Sequence, residues 1–194
     1  MMLRWLGGTL TRSEQPPNRY QWVPLSRVPI SFLTCVWVSE DNRFFQHRGF
    51  DWGEIRAAQA EARASGRPSR GASTITQQCA RSLFLWQGRS WLRKGLEAYY
   101  TAWMELLLSK RRILELYVNV IELGDGVYGI EAAAEHHYGI HADELTSDQA
   151  AGLAAILPRP RDWDPNHPSE RVLRRQAIIR QRAERARLPL DLDQ

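Results

Sequence analysis

The 194-residue chain has little cysteine, almost no lysine and no long apolar run. Its two cysteines, Cys35 and Cys79, are too few for a disulfide scaffold and lie in apolar segments typical of buried free thiols. The longest uncharged run, Val28 to Ser39, has 12 residues, against about 20 for a membrane-spanning helix. No full signal peptide, internal repeat or low-complexity linker is visible. These absences predict one globular domain, because a chain of this length can bury about 70% of its unfolded surface.

Arginine supplies nearly all of the positive charge. Only Lys94 and Lys110 are lysines among 26 basic residues, and the formal net charge is +4. Arginine binds phosphate and carboxylate in a bidentate manner, but an arginine-rich composition also occurs without any ligand. Apolar residues make up 43% and charged residues 25% of the chain, which excludes a disordered protein.

Helical signals dominate the chain after Ile30. Prolines predict an irregular arm over 11–29, and a short strand is expected within 31–38. Capping residues and apolar periodicity predict a mainly α fold. The predicted helices cover 51–64, 73–85, 91–108, 109–121, 128–138, 147–157 and 169–187. In the third of these, the expected core-facing positions are Leu92, Leu96, Tyr99, Trp103 and Leu106.

The segment Glu40–Asp51 concentrates carboxylates, a histidine and aromatic rings in 12 residues. Glu40 follows Val36-Trp37-Val38 and precedes Phe44 and Phe45, so its carboxylate is expected to lose hydration. The resulting rise in pKa would suit a general base. The alternative is a solvated turn that is fixed by aromatic packing.

The segment Gly71–Gln78 places hydroxyls and amides where a loop meets a helix. Thr74 and Gln78 are four residues apart and share one helix face, so both can donate to a ligand. Free backbone N–H groups at a helix N-terminus also favour an anion. The alternative is plain helix capping by Ser73.

The segment Arg89–Glu97 places cations next to a carboxylate on one helix face. Arg93 lies four residues before Glu97, and Lys94 lies three before it. This arrangement could bind phosphate or pyrophosphate. The alternative is a surface salt bridge of little energetic value.

Taken together, the three segments resemble the motifs of the peptidoglycan glycosyltransferases, glycosyltransferase family 51. The first motif matches Glu40, Asp41, Phe44, His47, Gly49 and Asp51, the second Gly71 and 73–78, and the third Arg93, Lys94 and Glu97. A fourth match covers 112–119 with 129–133, and a fifth covers Ala150 to Pro160. The resemblance runs from about residue 20 to 182 and is strongest to the monofunctional proteobacterial enzymes. No serine is followed three positions later by lysine, so the acylating motif of a transpeptidase domain is absent from the chain as given.

The resemblance implies a lysozyme-like, bilobal catalytic domain over 20–187, after an N-terminal arm (1–19) and before a tail (188–194). It implies polymerisation of lipid-linked GlcNAc-MurNAc-pentapeptide (lipid II), with inverting transfer to the GlcNAc 4-hydroxyl and release of polyprenyl pyrophosphate. The expected location is the periplasmic face of a bacterial inner membrane. Family members carry an N-terminal anchor helix that this chain does not show, so either the anchor has been cut off or the protein docks peripherally.

The resemblance also assigns roles to residues. Glu40 is the expected base, and Glu97 would orient the cations or hold a divalent ion (Mg²⁺ or Mn²⁺), although no cofactor is required. The expected substrate-binding residues are Asp41, Phe44, His47, Ser73, Thr74, Gln77, Gln78, Arg81, Arg89, Arg93 and Lys94. Arg81 stands where the family usually has lysine, which makes the phosphate geometry there less certain. Expected partners are the lipid-linked substrate, the nascent glycan and an anionic membrane surface, with cell-wall or division proteins as further candidates and no nucleic acid.

Two other functions remain open from the residues alone. A lytic transglycosylase or hydrolase also uses glutamate on an α fold, but needs no pyrophosphate clamp. An arginine-rich binding module for nucleic acid or membrane is the second, with 169–187 as its basic face; solvation is the default interpretation of that face. A metal site of His136, His137 and His141 is disfavoured by its spacing.

Overall fold

The computed structural model describes residues 19–66, 71–86, 88 and 90–190. These ranges contain eight α-helices and three short strands, so the predicted mainly α class is confirmed. The helices are α1 (Ile30–Glu40), α2 (Trp52–Ser65), α3 (Ile75–Phe84), α4 (Trp91–Leu107), α5 (Lys110–Val120), α6 (Ile130–Tyr138), α7 (Ser147–Ile156) and α8 (Glu170–Arg185). Short 3-10 turns occupy Leu25–Arg27 and Ala142–Glu144. Within these ranges, no helix combines the length and apolar character required to cross a bilayer.

A small sheet joins the first described residues to the middle of the chain. β3 (Val127–Tyr128) lies between β1 (Arg19–Tyr20), which runs parallel to it, and the antiparallel β2 (Glu122–Gly124). Asn119 then fixes the following segment, because its amide accepts from the backbone N–H of Val23 and donates to the Val23 carbonyl. Part of the predicted arm is therefore ordered by side-chain hydrogen bonds, while residues 1–18 lie outside the described ranges.

Helix α1 lies at the centre of the core and replaces the strand predicted within 31–38, which is wrong. It packs against α7 and α8, and Phe32, Leu33 and Val36 are completely buried. A helix enclosed on several sides is apolar all round, so its sequence shows no 3.6-residue periodicity. Its aromatic and β-branched residues then resemble a buried strand.

Helix α3 begins one residue later than predicted. Thr74, rather than Ser73, is the N-cap, and it forms a capping box with Gln77. The two hydroxyl residues are adjacent, so propensity alone could not choose between them. Helix α3 packs against α4 and α5.

Helix α4 turns its predicted core face outward. Leu92, Tyr99, Trp103 and Leu106 are exposed and define what we call the apolar face of α4, whereas the buried residues are Glu97, Thr101 and Met104. The periodicity was correct, but the assignment of the face to the core was wrong. The interior side of this helix is polar because it carries Glu97 toward neighbouring cations.

The remaining helices confirm their predictions to within one or two residues, and Asp51, Ser90, Ser109 and Thr146 cap helices as expected. The predicted boundaries between the N-terminal arm (1–19), the catalytic domain (20–187) and the tail (188–194) stay predictions. Arg19 lies in a strand, and Leu188 and Leu190 pack against the core.

Candidate active site

Glu40 is the last residue of α1, and its carboxylate is held at both oxygens. Oε2 accepts a hydrogen bond from Gln78 Nε2 on α3 at 3.0 Å, and Oε1 accepts from Arg175 Nη2 on α8 at 2.9 Å. The side chain is 14% exposed. It is therefore fixed in direction while still open to a bound hydroxyl group.

The environment of Glu40 favours the protonated form of its carboxyl more than the environment of an ordinary surface glutamate does. Burial raises the pKa of Glu40, and the Gln78 hydrogen bond and the charges of Arg175 and Arg81 offset part of that rise. A carboxylate that is partly desolvated but still ionisable is suited to accept a proton near neutral pH.

Asp41 ties the loop after α1 to the start of α3. Both of its oxygens lie 3.0 Å from His47 Nε2, and Oδ2 also accepts from the backbone N–H of Ile75. Phe44 belongs to this loop and is completely buried, with Lys110 above its ring. Asp41 and His47 thus brace the Glu40 segment. The core leaves the Phe44 ring no accessible surface, and its contact with substrate stays a prediction.

The polar residues at the start of α3 are used mainly within the fold. The Thr74 hydroxyl donates to the Gly49 carbonyl at 2.6 Å, and Gln77 Oε1 accepts from the Thr74 backbone N–H. Both side chains are buried. Capping and loop attachment thus use the Thr74 hydroxyl and the Gln77 amide oxygen, while Ser73 remains partly exposed. The part of these three residues in substrate binding stays a prediction.

Glu97 is completely buried and faces three cations. Lys94 Nζ donates to Oε1, while Arg81 and Arg93 approach Oε2 at 3.7 and 3.8 Å. Among the described residues, Oε2 has no hydrogen-bond donor. The carboxylate therefore gathers the cations of α3 and α4 at one place, as one of the two predicted roles requires.

The same surroundings fit a divalent ion poorly. Magnesium and manganese prefer several oxygen ligands, whereas Glu97 is surrounded by positive charge. In the part of the chain that the structure describes, no group of three or more His, Cys, Asp or Glu side chains is placed to hold a metal.

Arg81 connects the two glutamates. Its guanidinium lies 3.7 Å from Glu97, and its charge also lowers the pKa of Glu40. Its side chain is 39% exposed, so it can still meet a ligand. Arg89, the remaining predicted cation, lies outside the described residues.

A cleft of about 190 Å³ opens beside Glu40. Its lining includes Asn42, Asp51, Ser73 and Arg182. A smaller group, consisting of Ser90, Trp91, Arg93 and Lys94, lines a separate open depression. The structure thus places the Glu40 carboxylate at one depression and a cationic surface at another.

Comparison with known proteins identifies the family. The family model described as "Transglycosylase" matches residues 7–184. The chain is 51% identical over 170 residues to a protein named biosynthetic peptidoglycan transglycosylase from Ectopseudomonas mendocina, covering 87% of this chain and 70% of the relative. The chain belongs to the transglycosylase family.

Two other relatives of this family carry the same name. The protein from Chromohalobacter salexigens is 46% identical over 175 residues, which cover 90% of this chain and 72% of the relative. The protein from Xanthomonas campestris is 49% identical over 164 residues, which cover 84% and 66%. The chain thus matches about two thirds to seven tenths of the length of these transglycosylases.

Two residues of this transglycosylase site were missed in the sequence. From the sequence, Arg175 is interpreted as one of the solvated arginines of 169–187, and Tyr117 has no role beyond its place in the helix predicted over 109–121. Arg175 lies 135 positions from Glu40, so no local pattern marks the contact. Tyr117 does occupy the core, but its hydroxyl donates to Gln78 Oε1 at 3.2 Å. A phenol among apolar residues needs a partner, and that requirement was the available signal.

Proposed function

We propose that this transglycosylase polymerises a lipid-linked GlcNAc-MurNAc-pentapeptide into glycan strands and releases polyprenyl pyrophosphate. The observation that carries the proposal is the sharing of Arg81 between the raised-pKa carboxylate of Glu40 and the buried Glu97. Such a site places a base next to a cluster of cations that can hold the leaving group. We call this cluster, Arg81, Arg93 and Lys94, the clamp. Peptidoglycan synthesis gives the enzyme a role in the cell envelope and a lipid-linked precursor as its substrate.

In the proposed reaction, the GlcNAc 4-hydroxyl of the acceptor attacks the anomeric carbon of the donor. Glu40 accepts the hydroxyl proton as the new glycosidic bond forms. The bond to the pyrophosphate breaks, and the configuration inverts from α to β. Arg81, Arg93 and Lys94 stabilise the negative charge that develops on the departing pyrophosphate.

Glu97 acts on this clamp indirectly. Arg93 and Lys94 belong to its own helix, and Arg81 reaches it from α3. Without a buried anion, three cations would repel one another, so Glu97 allows them to occupy one small volume. We infer that it organises the cations and that the reaction needs no divalent ion bound to it.

The apolar face of α4 supports contact with a membrane, where the lipid-linked substrate resides. Leu92 and Leu106 are 70% and 72% exposed, and Trp91 beside the clamp is 93% exposed. Aromatic and aliphatic side chains of this kind partition into the boundary between headgroups and acyl chains. We place this face against the periplasmic leaflet of the inner membrane.

Co-sedimentation with phosphatidylglycerol–phosphatidylcholine vesicles tests this contact. The double variant Leu92→Ser, Leu106→Ser should bind at least about tenfold less well, because each buried leucine contributes roughly 1.5–3 kcal/mol. Leu173→Ser is the matched control, since Leu173 is an exposed leucine on α8. Equal binding of both variants and the wild type would contradict the placement.

Product analysis separates the proposed polymerase from a lytic enzyme. The chain is incubated with labelled lipid-linked disaccharide in detergent and, separately, with purified cell wall. Polymeric glycan from the first reaction is the expected result. Soluble muropeptides from the second, without polymer from the first, would instead assign a lytic transglycosylase.

A further inference from the structure

The side chain of Gln78 lies between two groups from different helices. Tyr117 on α5 donates its O–H to Gln78 Oε1 at 3.2 Å, and Gln78 Nε2 donates to Glu40 Oε2 at 3.0 Å. Tyr117 is completely buried, and Gln78 is partly buried. A continuous chain of hydrogen bonds therefore leads from the core to the carboxylate.

The Glu40 carboxylate determines which group donates and which accepts in each of these hydrogen bonds. An ionised carboxylate can only accept hydrogen bonds, so the amide must turn its NH₂ group toward Glu40. The amide oxygen then faces Tyr117, which must donate its proton to it. A phenol satisfies this requirement, whereas phenylalanine would fill nearly the same volume and leave Oε1 without a donor.

The surroundings keep Tyr117 in the donating form. Burial raises the pKa of Tyr117 well above its ordinary value, and the negative charge of Glu40 raises it further. Cys79 and Asp41 act in the same direction, whereas the charge of Arg81 lowers the pKa. The phenol therefore stays protonated wherever the enzyme is folded and active.

We propose that Tyr117 is a positioning residue, which acts through the Gln78 amide to hold the Glu40 carboxylate in its proton-accepting orientation. This inference rests on the proposed function, in which Glu40 is the base. Arg175 holds the opposite carboxylate oxygen, so the two contacts together prevent rotation. A carboxylate has about four lone-pair sites, so two remain for the substrate hydroxyl.

Kinetics of Tyr117→Phe test the effect on catalysis. The kcat should fall about three- to tenfold, as for the loss of one hydrogen bond, with little change in KM for the lipid-linked disaccharide. The acidic limb of the rate profile should move to higher pH. Without the phenol, the amide can turn its oxygen toward Glu40, and that contact disfavours the ionised carboxylate. Arg175, Arg81 and Asp41 still face Glu40 in the variant.

Tyr138→Phe is the matched control. Tyr138 is partly buried, and its hydroxyl donates to the Gln149 carbonyl at 3.5 Å. A purely structural role for Tyr117 predicts a lower melting temperature in Tyr117→Phe with an unchanged pH profile, and this result would overturn the proposal.

A titration that does not depend on activity tests the positioning role of Tyr117 separately from the proposed function. The side-chain carboxyl of Glu40 is followed by ¹³C NMR, with its signal assigned by its loss in Glu40→Gln. The midpoint should move upward in Tyr117→Phe and in Gln78→Met, which leaves the tyrosine in place. Tyr117→Phe should have no further effect in the Gln78→Met background, because Tyr117 acts through the amide.

The outcomes are distinguishable. The positioning role is overturned if the Glu40 midpoint is unchanged in folded Tyr117→Phe or in folded Gln78→Met. It is also overturned if the double variant shows a larger shift than Gln78→Met alone. If the Glu40 midpoint shifts as expected but the wild-type protein makes no glycan, the positioning role is supported and the proposed function is rejected.

Discussion

At the scale of single residues, the sequence located Glu40 but not the contacts that make it useful. The apolar neighbours of Glu40 predicted a raised pKa, and burial does raise it. The two groups that fix its oxygens come from α3 and α8, far along the chain. Long-range contacts of this kind leave no periodic or local signal, which is why Arg175 was interpreted as a solvated arginine.

Arg175 offers a direct test at this scale. Arg175→Ala should lower kcat/KM by about 10- to 100-fold, because the base loses one of its two fixed contacts. The acidic limb should also move to higher pH, since the charge of Arg175 lowers the pKa of Glu40. Rate profiles over pH check both effects.

The neighbouring Arg174 is the control for this variant. It is 79% exposed and pairs with Glu170 on the surface. Arg174→Ala should keep the wild-type profile, because a surface pair of this kind contributes little. Equal losses in the two variants would show that the general charge of α8, rather than the contact with Glu40, matters.

At the scale of elements, local capping chemistry was the most reliable guide. Asp51, Ser90, Ser109 and Thr146 begin helices as predicted, because a side-chain oxygen can satisfy a free N–H group without any tertiary partner. One cap is displaced by a residue, to Thr74 from the predicted Ser73, and the larger errors concern packing. Whether α1 is a strand and which side of α4 faces inward depend on neighbours, and those neighbours are distant in sequence.

Two capping boxes of the same composition allow the effect of helix capping on stability to be separated from its effect on glycan synthesis. Thr74 with Gln77 begins α3 beside Glu40, and Thr146 with Gln149 begins α7. Changing either threonine to alanine removes an N-cap and should cost about 1 kcal/mol of the free energy of unfolding. Thr74→Ala should cost roughly 1 kcal/mol more, because it also loses the buried hydrogen bond to Gly49. Only Thr74→Ala should also reduce glycan synthesis, because the Thr74 hydroxyl additionally holds the loop at Gly49.

Chemical denaturation and the polymerisation assay check this pair. If Thr146→Ala lost as much activity as Thr74→Ala, the start of α3 would have no special part in the site.

At the scale of the whole molecule, the site exists only when the fold is complete. The carboxylate on α1 is reached from α3 and α8, and α5 supports α3 through Tyr117. The clamp adds α4, whose other side carries the exposed apolar face. Family resemblance predicted the fold class and the function, but only the packed structure brings these helices to one point.

The raised pKa of Glu40 has a consequence for global stability. The folded chain binds this proton more tightly than the unfolded chain, so ionising Glu40 destabilises the fold. The cost develops as the pH rises from the ordinary carboxyl pKa through the raised one. At neutral pH, Glu40→Gln should therefore melt no lower than the wild type, which separates lost chemistry from lost folding.

The most direct test of the central claim is polymerisation of labelled lipid-linked disaccharide by the wild type, Glu40→Gln and Glu170→Gln. Glu170 is 86% exposed and serves as the matched control. The wild type and Glu170→Gln should make glycan at similar rates, and Glu40→Gln should lose at least about 10²–10⁴-fold, as expected for a missing general base. Glycan synthesis by folded Glu40→Gln at the wild-type rate would contradict the account.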